Sequence, residues 1–341
     1  MKLKFRLPLL SVTILIAVLS MTACKTGNND PENGKDPEIT VDIPTFDANN
    51  AYNFIETQLA FGPRVPNTPA QDSCAAWMAE KFREFGARVI VQEDQVRAYT
   101  GEMLNMKNII ASYNPDKKRR VLLCAHWDSR HISDYDPSPE NYNKPVPGAD
   151  DGGSGVGVLL EVARLLNEYP LEYMGIDIVL FDVEDHGQPS DGGGFPMQED
   201  TWCLGSQYWS KNPHVPGYKA NYGILLDMVG SRGARFTKEG TSMKFAADIM
   251  NKVWKEARSS GYSAYFVLDR TREIIDDHLY VNEIAKIPTI DIINRPAHTE
   301  TGFGDYWHTQ NDNIDVIDKN TLRAVGQTVL NVIYKESVMA L

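Results

Sequence analysis

Histidine, aspartate and glutamate cluster at a few points of this chain, and those points lie just after apolar runs. His126-Trp127-Asp128 follows the run 121–125, and Asp182-Val183-Glu184-Asp185 follows 176–181. Asp227 closes the run 222–226, and His308 stands in Trp307-His308-Thr309, a loop beyond 289–293. A glycine-rich turn, Gly148-Ala149-Asp150-Asp151-Gly152-Gly153-Ser154-Gly155, opens a helical pattern between the first two. Imidazole and carboxylate donors without thiolates suit zinc at a catalytic site that keeps one position open. Asp151, Asp185 and His308 are the candidate ligands, with His126 and Asp227 placed to complete a second site. Adjacent residues on a regular strand point to opposite faces. Of Glu184 and Asp185, one should therefore ligate while the other stands off as general base.

The elements that must position these residues are legible as patterns. Apolar segments of strand length recur at 88–92, 108–113, 121–125, 176–181, 224–228 and 289–293. Several are continuous rather than alternating, as expected of strands covered on both faces. Helical patterns occupy 156–168, 243–259 and 321–339, another helix starts at 202–206, and Asp277-His278 is placed to cap a helix over 279–285. Alternating strands and helices predict an α/β fold, a three-layer α/β/α sandwich around a central mixed, mainly parallel sheet. Such sheets bind ligands beyond the carboxyl ends of their strands, where the acids and histidines fall. Glycines 152, 153, 155 and 157 lack GxGxxG spacing and no Walker lysine follows, so they read as close helix–strand packing. His131, His186, His214 and His298 lie in polar stretches and read as exposed. Trp127 and Trp202 stay open between lining a pocket and packing under loops.

Composition excludes several classes. The 341 residues carry 34 Lys+Arg against 46 Asp+Glu, a net charge of −12, which argues against a nucleic-acid partner. At 42% hydrophobic and 23% charged the chain is globular. Four cysteines with no CxxC pair make neither a disulfide scaffold nor a thiolate metal site, and Cys74 and Cys124 read as small buried hydrophobes. Lys2, Lys4 and Arg6 precede the apolar run 7–19, which is too short to span a bilayer and reads as a signal peptide. It ends in Met21-Thr22-Ala23-Cys24, which resembles the lipobox of bacterial lipoproteins. That resemblance implies a lipidated Cys24 and an exported chain anchored to a bacterial membrane, facing the periplasm or the cell surface. The expected organisation is a signal peptide over 1–23, a flexible tether over 24–45 and one catalytic domain over 46–341.

The motifs GADDGGSG, DVED, LLDMVG and WHT, with Phe61-Gly62-Pro63-Arg64 as opening, resemble the zinc-dependent aminopeptidase superfamily. Three features are more similar to its glutaminyl-peptide cyclotransferases (glutaminyl cyclases): Trp307 directly before His308, Leu225-Leu226-Asp227-Met228-Val229-Gly230, and Asp276-Asp277-His278. The resemblance implies a single zinc held by Asp151, Asp185 and His308, Glu184 as acid/base, Asp227 and Asp276 as supporting carboxylates, and Trp307 lining the substrate pocket. Asp151 is preferred over Asp150 because the family's ligand is the second residue after Gly-Ala. His126 matches a position that binds a second metal in aminopeptidases but is no ligand in the cyclases. The implied reaction converts the N-terminal glutamine of peptides and proteins to pyroglutamate with release of ammonia, in a monomer. A zinc aminopeptidase with two metals and an activated water is the alternative, because all five ligands are present. Three departures stand out: Asp185 where vertebrate-type cyclases carry Glu, Asp291 where they carry His, and the long glycine-rich segment 187–201.

Overall fold

The computed structural model describes residues 41–338; the expected signal peptide, Cys24 and most of the expected tether lie outside the described residues. In chain order the strands are β1 (Arg88–Arg97), β2 (Met103–Tyr113), β3 (Arg120–His126), β4 (Gly175–Phe181), β5 (Tyr222–Asp227), β6 (Phe236–Lys238), β7 (Phe266–Arg270) and β8 (Thr289–Ile293). The helices are α1 (Ala48–Ala60), α2 (Pro69–Glu84), α3 (Gly153–Glu168), α4 (Leu204–Lys211), α5 (Gly240–Ser259), α6 (Asp277–Tyr280) and α7 (Lys319–Val338).

Six strands make the main sheet in the order β1-β2-β4-β3-β5-β8. Only β2 runs against its neighbours; β4, β3, β5 and β8 pair in parallel, which is the mixed, mainly parallel sheet expected. Val121 of β3 pairs with Ile176 of β4 on one side and Tyr222 of β5 on the other. The chain thus steps from β3 one way to β4, then back across β3 to β5. Right-handed crossovers in opposite directions put their helices on opposite faces. Accordingly Val121, Leu123 and Ala125 point into the larger core with α1, α2, α3, α5 and α7, while Leu122 and Cys124 meet Trp209 of α4 and Val281. Both faces of β3 are buried, which is why its sequence is continuously apolar. Each such side chain contributes about 1.5–3 kcal/mol by leaving water.

Helix α3 sets the site's depth. A Cβ on Gly155 would lie 2.3 Å from the Leu226 carbonyl oxygen, so only glycine lets α3 approach β5 this closely. Gly152, its N-cap, has φ 80°, a conformation glycine adopts at no steric cost.

Some elements differ from expectation. β1 extends five residues beyond 92, because its hairpin with β2 continues past the covered part of the sheet. Helices α1 and α2 were not marked by the sequence: their inner stripes are narrow and include the buried amides Gln58 and Gln71. The short pair β6–β7 carried no strand signal. The helix expected over 279–285 is a single α turn, α6, running into a π turn at Val281–Ala285, and Asp276 rather than Asp277 is its cap. Val41 and Ile43 lie against the core and Pro44 is buried, so packing begins a few residues before Phe46.

Candidate active site

The carboxyl ends of β4, β5 and β8 and the turn that opens α3 converge on a cleft of about 310 Å³. Asp151, Glu184, Asp185, Asp227, Asp276 and His308 all line it, with Trp202 and Trp307 as aromatic walls. Asp151, Asp185 and His308 bring one ligand atom each to within 4.8 Å of one another, and all three are buried. His308 Nε2 lies 3.2 Å from Asp185 Oδ1 and 3.8 Å from Asp151 Oδ2.

Backbone geometry explains how neighbours separate. β4 ends at Phe181, and Val183 adopts φ 56°, a costly conformation for a β-branched residue. The regular strand on which Glu184 and Asp185 would point oppositely is therefore over before they begin. Both reach the cleft, but in different groups: Asp185 joins Asp151 and His308, and Glu184 joins Cys203 and Asp276. Asp128 holds this turn, its two oxygens each accepting a hydrogen bond at 3.0 Å from the amides of Glu184 and Asp185.

Asp150 and Asp151 are likewise split. Asp150 turns away, accepting from the Gly230 amide at 2.7 Å and from the Tyr306 hydroxyl. Asp312 accepts from the amides of Asp150 (2.8 Å) and Asp151 (3.1 Å), and the buried Arg64 guanidinium donates to the carbonyls of Pro147 and Gly148, fixing the loop that carries Asp151.

The donor set fits a bound cation. Both Asp185 carboxylate oxygens are buried without a hydrogen-bond partner, a costly state unless positive charge is supplied. His308 Nδ1 is committed to Asp134 Oδ1 at 2.9 Å, which leaves Nε2 as the donor atom toward the cluster. Asp134 is in turn held by Arg130, whose guanidinium also donates to the carbonyls of Asp185 and Gly187 and lies over the Trp202 ring. His308 and Arg130 hold the Asp134 carboxyl well below its usual range, against the effect of its burial.

His126 is placed beside this cluster. Its Nε2 is 3.0 Å from Asp151 Oδ1 and 3.1 Å from Asp227 Oδ1, forming a second three-residue group that shares Asp151. Burial alone would lower the His126 imidazole, but Asp128, Asp151 and Asp227 hold it well above its usual range. Asp227 is thus partnered by His126, whereas Asp276 gathers with His278 and Asp291. Burial pushes the Glu184 carboxyl well above the ordinary value; His126 opposes this, and Asp185, Asp277 and Asp276 add to it.

Trp307 stacks on His308 with centroids 3.6 Å apart and packs against Phe303 and Tyr135. Trp202 faces the cleft, whereas Trp127 is wholly buried and donates to the Lys107 carbonyl. His186 is not exposed: it is buried and stacks on His131 at 3.9 Å, because the segment after it folds back around the buried Gln188. Of the residues that matter here, Asp128, Asp134, Arg130 and Cys203 were not singled out by the sequence. Asp128 alone carried a signal, two positions after His126 at the same strand end.

A mixed, mainly parallel sheet whose central strands end in buried carboxylates and histidines around one cleft defines an enzyme of the α/β class with candidate metal-binding groups. Residues 108–333 match the Peptidase family M28 model, and the chain belongs to that family. It is 55% identical to a glutaminyl cyclase of Tannerella forsythia of known structure, covering 85% of this chain and 99% of that one with a TM-score of 0.83. It is 51% identical to a Zn-dependent exopeptidase of Parabacteroides distasonis, covering 86% and 99% with a TM-score of 0.84. It also matches a glutaminyl-peptide cyclotransferase of Gloydius blomhoffii at 25% identity, over 76% of this chain and 73% of the relative.

Proposed function

We propose that the chain is a zinc-dependent glutaminyl-peptide cyclotransferase that converts N-terminal glutamine to pyroglutamate and releases ammonia. One observation carries the reading: Glu184 faces the cleft from a group of its own, apart from Asp151, Asp185 and His308, with Trp307 as the wall beside them. An acid/base that is no ligand and an aromatic wall for a small amide are the parts that cyclisation needs. The similarity to the Tannerella forsythia cyclase over nearly all of its length supports the same reading.

Asp151, Asp185 and His308 would hold the zinc, which when bound polarises the γ-carboxamide as a Lewis acid. Trp307 presents a flat apolar face on the cleft wall against which the glutamine side chain packs. The substrate's α-amine attacks the carbonyl carbon (Cδ) of its own γ-carboxamide, forming the ring N–C bond while the bond from that carbon to the amide nitrogen breaks. Glu184 takes the proton that the amine loses and returns it to the departing nitrogen, so the carboxylate ends as it began. Its burial favours the protonated form and so supports the return step. Asp227 and Asp276 flank this transfer from the cleft wall.

The test is the product. The purified chain is incubated with zinc and a glutamine-initiated peptide, with an uncatalysed control, and the product is weighed by mass spectrometry. Enzyme-dependent loss of ammonia with the chain intact supports the cyclase; loss of the whole first residue overturns it. The second reading, an aminopeptidase with two metals, is favoured by the His126, Asp151 and Asp227 group, and the same spectrum decides it.

Export, lipidation of Cys24, the membrane anchor and a monomeric state belong to this proposal. Among the described residues no helix is long and apolar enough to cross a membrane, so an anchor would have to come from outside them. Cys24→Ala should release the chain from the membrane fraction; retention would overturn the anchor.

A further inference from the structure

Behind the proposed zinc ligands lies a second group of different chemistry. Glu184, Cys203 and Asp276 each offer one ligand atom, all within 4.8 Å of one another. Cys203 caps α4 in a left-handed conformation with φ 57°. Its amide donates to the Glu184 carbonyl and the Leu204 amide to the Val183 carbonyl, both at 3.0 Å, which stitches the start of α4 to the turn after β4. The thiol is thereby held 3.2 Å from Glu184 Oε1. From the other side comes Asp276, 4% exposed, whose Oδ1 accepts from the Asp277 amide and whose Oδ2 is buried with no partner. A thiol, a carboxylate and an unpartnered buried carboxylate oxygen converge there, with the His126 imidazole beside them, its Nδ1 3.9 Å from Glu184 Oε2.

Sulfur with two carboxylate oxygens selects a borderline or soft divalent ion over magnesium or calcium. We propose that Glu184, Cys203 and Asp276 form an inhibitory metal site, entered by zinc in excess or by cadmium, that silences the enzyme by capturing Glu184. On entry a metal–sulfur bond replaces the S–H bond and the proton is released to solvent; nothing is oxidised. The site is distinct from the Asp151 cluster, since it shares no residue with it. The other acid-and-histidine groups, His126 with Asp151 and Asp227 and His278 with Asp276 and Asp291, contain no sulfur. Inhibition rests on the reading of Glu184 as acid/base; occupancy of the site does not.

The experiment titrates the zinc-loaded full chain with cadmium, following the ultraviolet thiolate-to-cadmium charge-transfer band alongside cyclisation. The expected result is a band that saturates at one ion per chain while activity falls in parallel. Cys203→Ala and the near-isosteric Cys203→Ser lose the band and need about tenfold or more cadmium for half-inhibition, relative to their own starting rates. The serine variant keeps the test valid if alanine impairs folding. No band in the wild type, or a band that survives both substitutions, overturns the site. Inhibition that persists unchanged in both variants without a band places cadmium at Asp151, Asp185 and His308 and overturns the proposal. A Cys203-dependent band in a chain that never cyclises glutamine keeps the metal site and rejects the cyclase reading instead.

Discussion

Glu184 and Asp134 act on the proposed chemistry from opposite sides, and each supplies a separable test. Glu184→Gln removes a proton carrier but keeps the side chain's shape and length. General acid–base contributions are typically about 10²–10⁴-fold, so cyclisation should fall by that order while zinc content, read by elemental analysis, stays at the wild-type value. A retained rate would remove Glu184 from the acid/base role. Asp134 touches no substrate; it fixes the His308 ring through Nδ1 and is itself held by Arg130. Partners of this kind cost about 10–100-fold in metal affinity when lost. Asp134→Asn should therefore release zinc to a competing chelator at about that much lower chelator strength, with the rate recovering in excess zinc. Unchanged affinity would show that packing against Trp307 and Trp202 alone orients His308.

The loop that carries Asp276 owes its position to one buried carboxylate at the start of α5. Glu239 Oε1 accepts from the amides of Thr241 (2.6 Å) and Ile274 (3.1 Å), and Oε2 from the Ser242 amide, the Ser242 hydroxyl and His278 Nε2 at 2.8–3.0 Å. Burial disfavours the charged form, yet His278 and the amides outweigh it and hold the carboxyl at about 2 instead of 4.5. A depressed folded-state value contributes stability that is complete above about pH 4.5 and is lost as pH falls toward 2. At about 1.4 kcal/mol per unit the gap corresponds to ~3 kcal/mol. Urea unfolding across that window should show a steep acid limb in the wild type and a flatter one in Glu239→Gln, which should also be less stable at neutral pH. Parallel limbs would assign the acid sensitivity to other carboxylates. Glu239 also shows what escapes a reading of the sequence. The strands β3, β4, β5 and β8 were legible because both faces are covered, so their apolar runs are unbroken and the functional residues follow directly. The cleft's principal residues were legible for the same reason, as ends of runs. Glu239 and Asp312 were not, because a carboxylate that satisfies backbone amides across the fold looks locally like any acid in a polar loop; Asp134 was not, because its partner His308 lies 174 positions away, and Asp128 was marked only by following His126. Helices α1 and α2 escaped because their buried faces include Gln58 and Gln71, polar in sequence but donating in place to the Gly153 carbonyl and to Asp182.

At the scale of the whole molecule the first packed segment closes on the last helix. Phe46 is 1% exposed and lies over Gly326 of α7, where an added Cβ would come within 2.2 Å of the ring. Its amide donates to Gln327 Oε1 at 2.9 Å, and Gln327 Nε2 donates to the Pro44 carbonyl at 3.1 Å, so α7 clasps the entering chain by the Gln327 side chain and the close Gly326 contact. This clasp joins residues 281 positions apart and packs α7 against α1, α3 and α5, the layer that backs the parallel strands. Phe46 is not among the residues that line the cleft. Its loss should therefore lower global stability without altering the chemistry of molecules that remain folded. Phe46→Ala should cost about 3–5 kcal/mol, the range for an emptied aromatic site, which is a large part of what a domain has to lose. The measurement is the urea midpoint, taken with zinc content and with kcat per folded molecule at 25 °C. A lower midpoint with unchanged zinc and kcat supports a purely structural clasp. A fall in kcat at full folding would mean that the layer under β3 and β5 transmits its packing to Asp151 through α3, whose glycine contact with Leu226 leaves no slack.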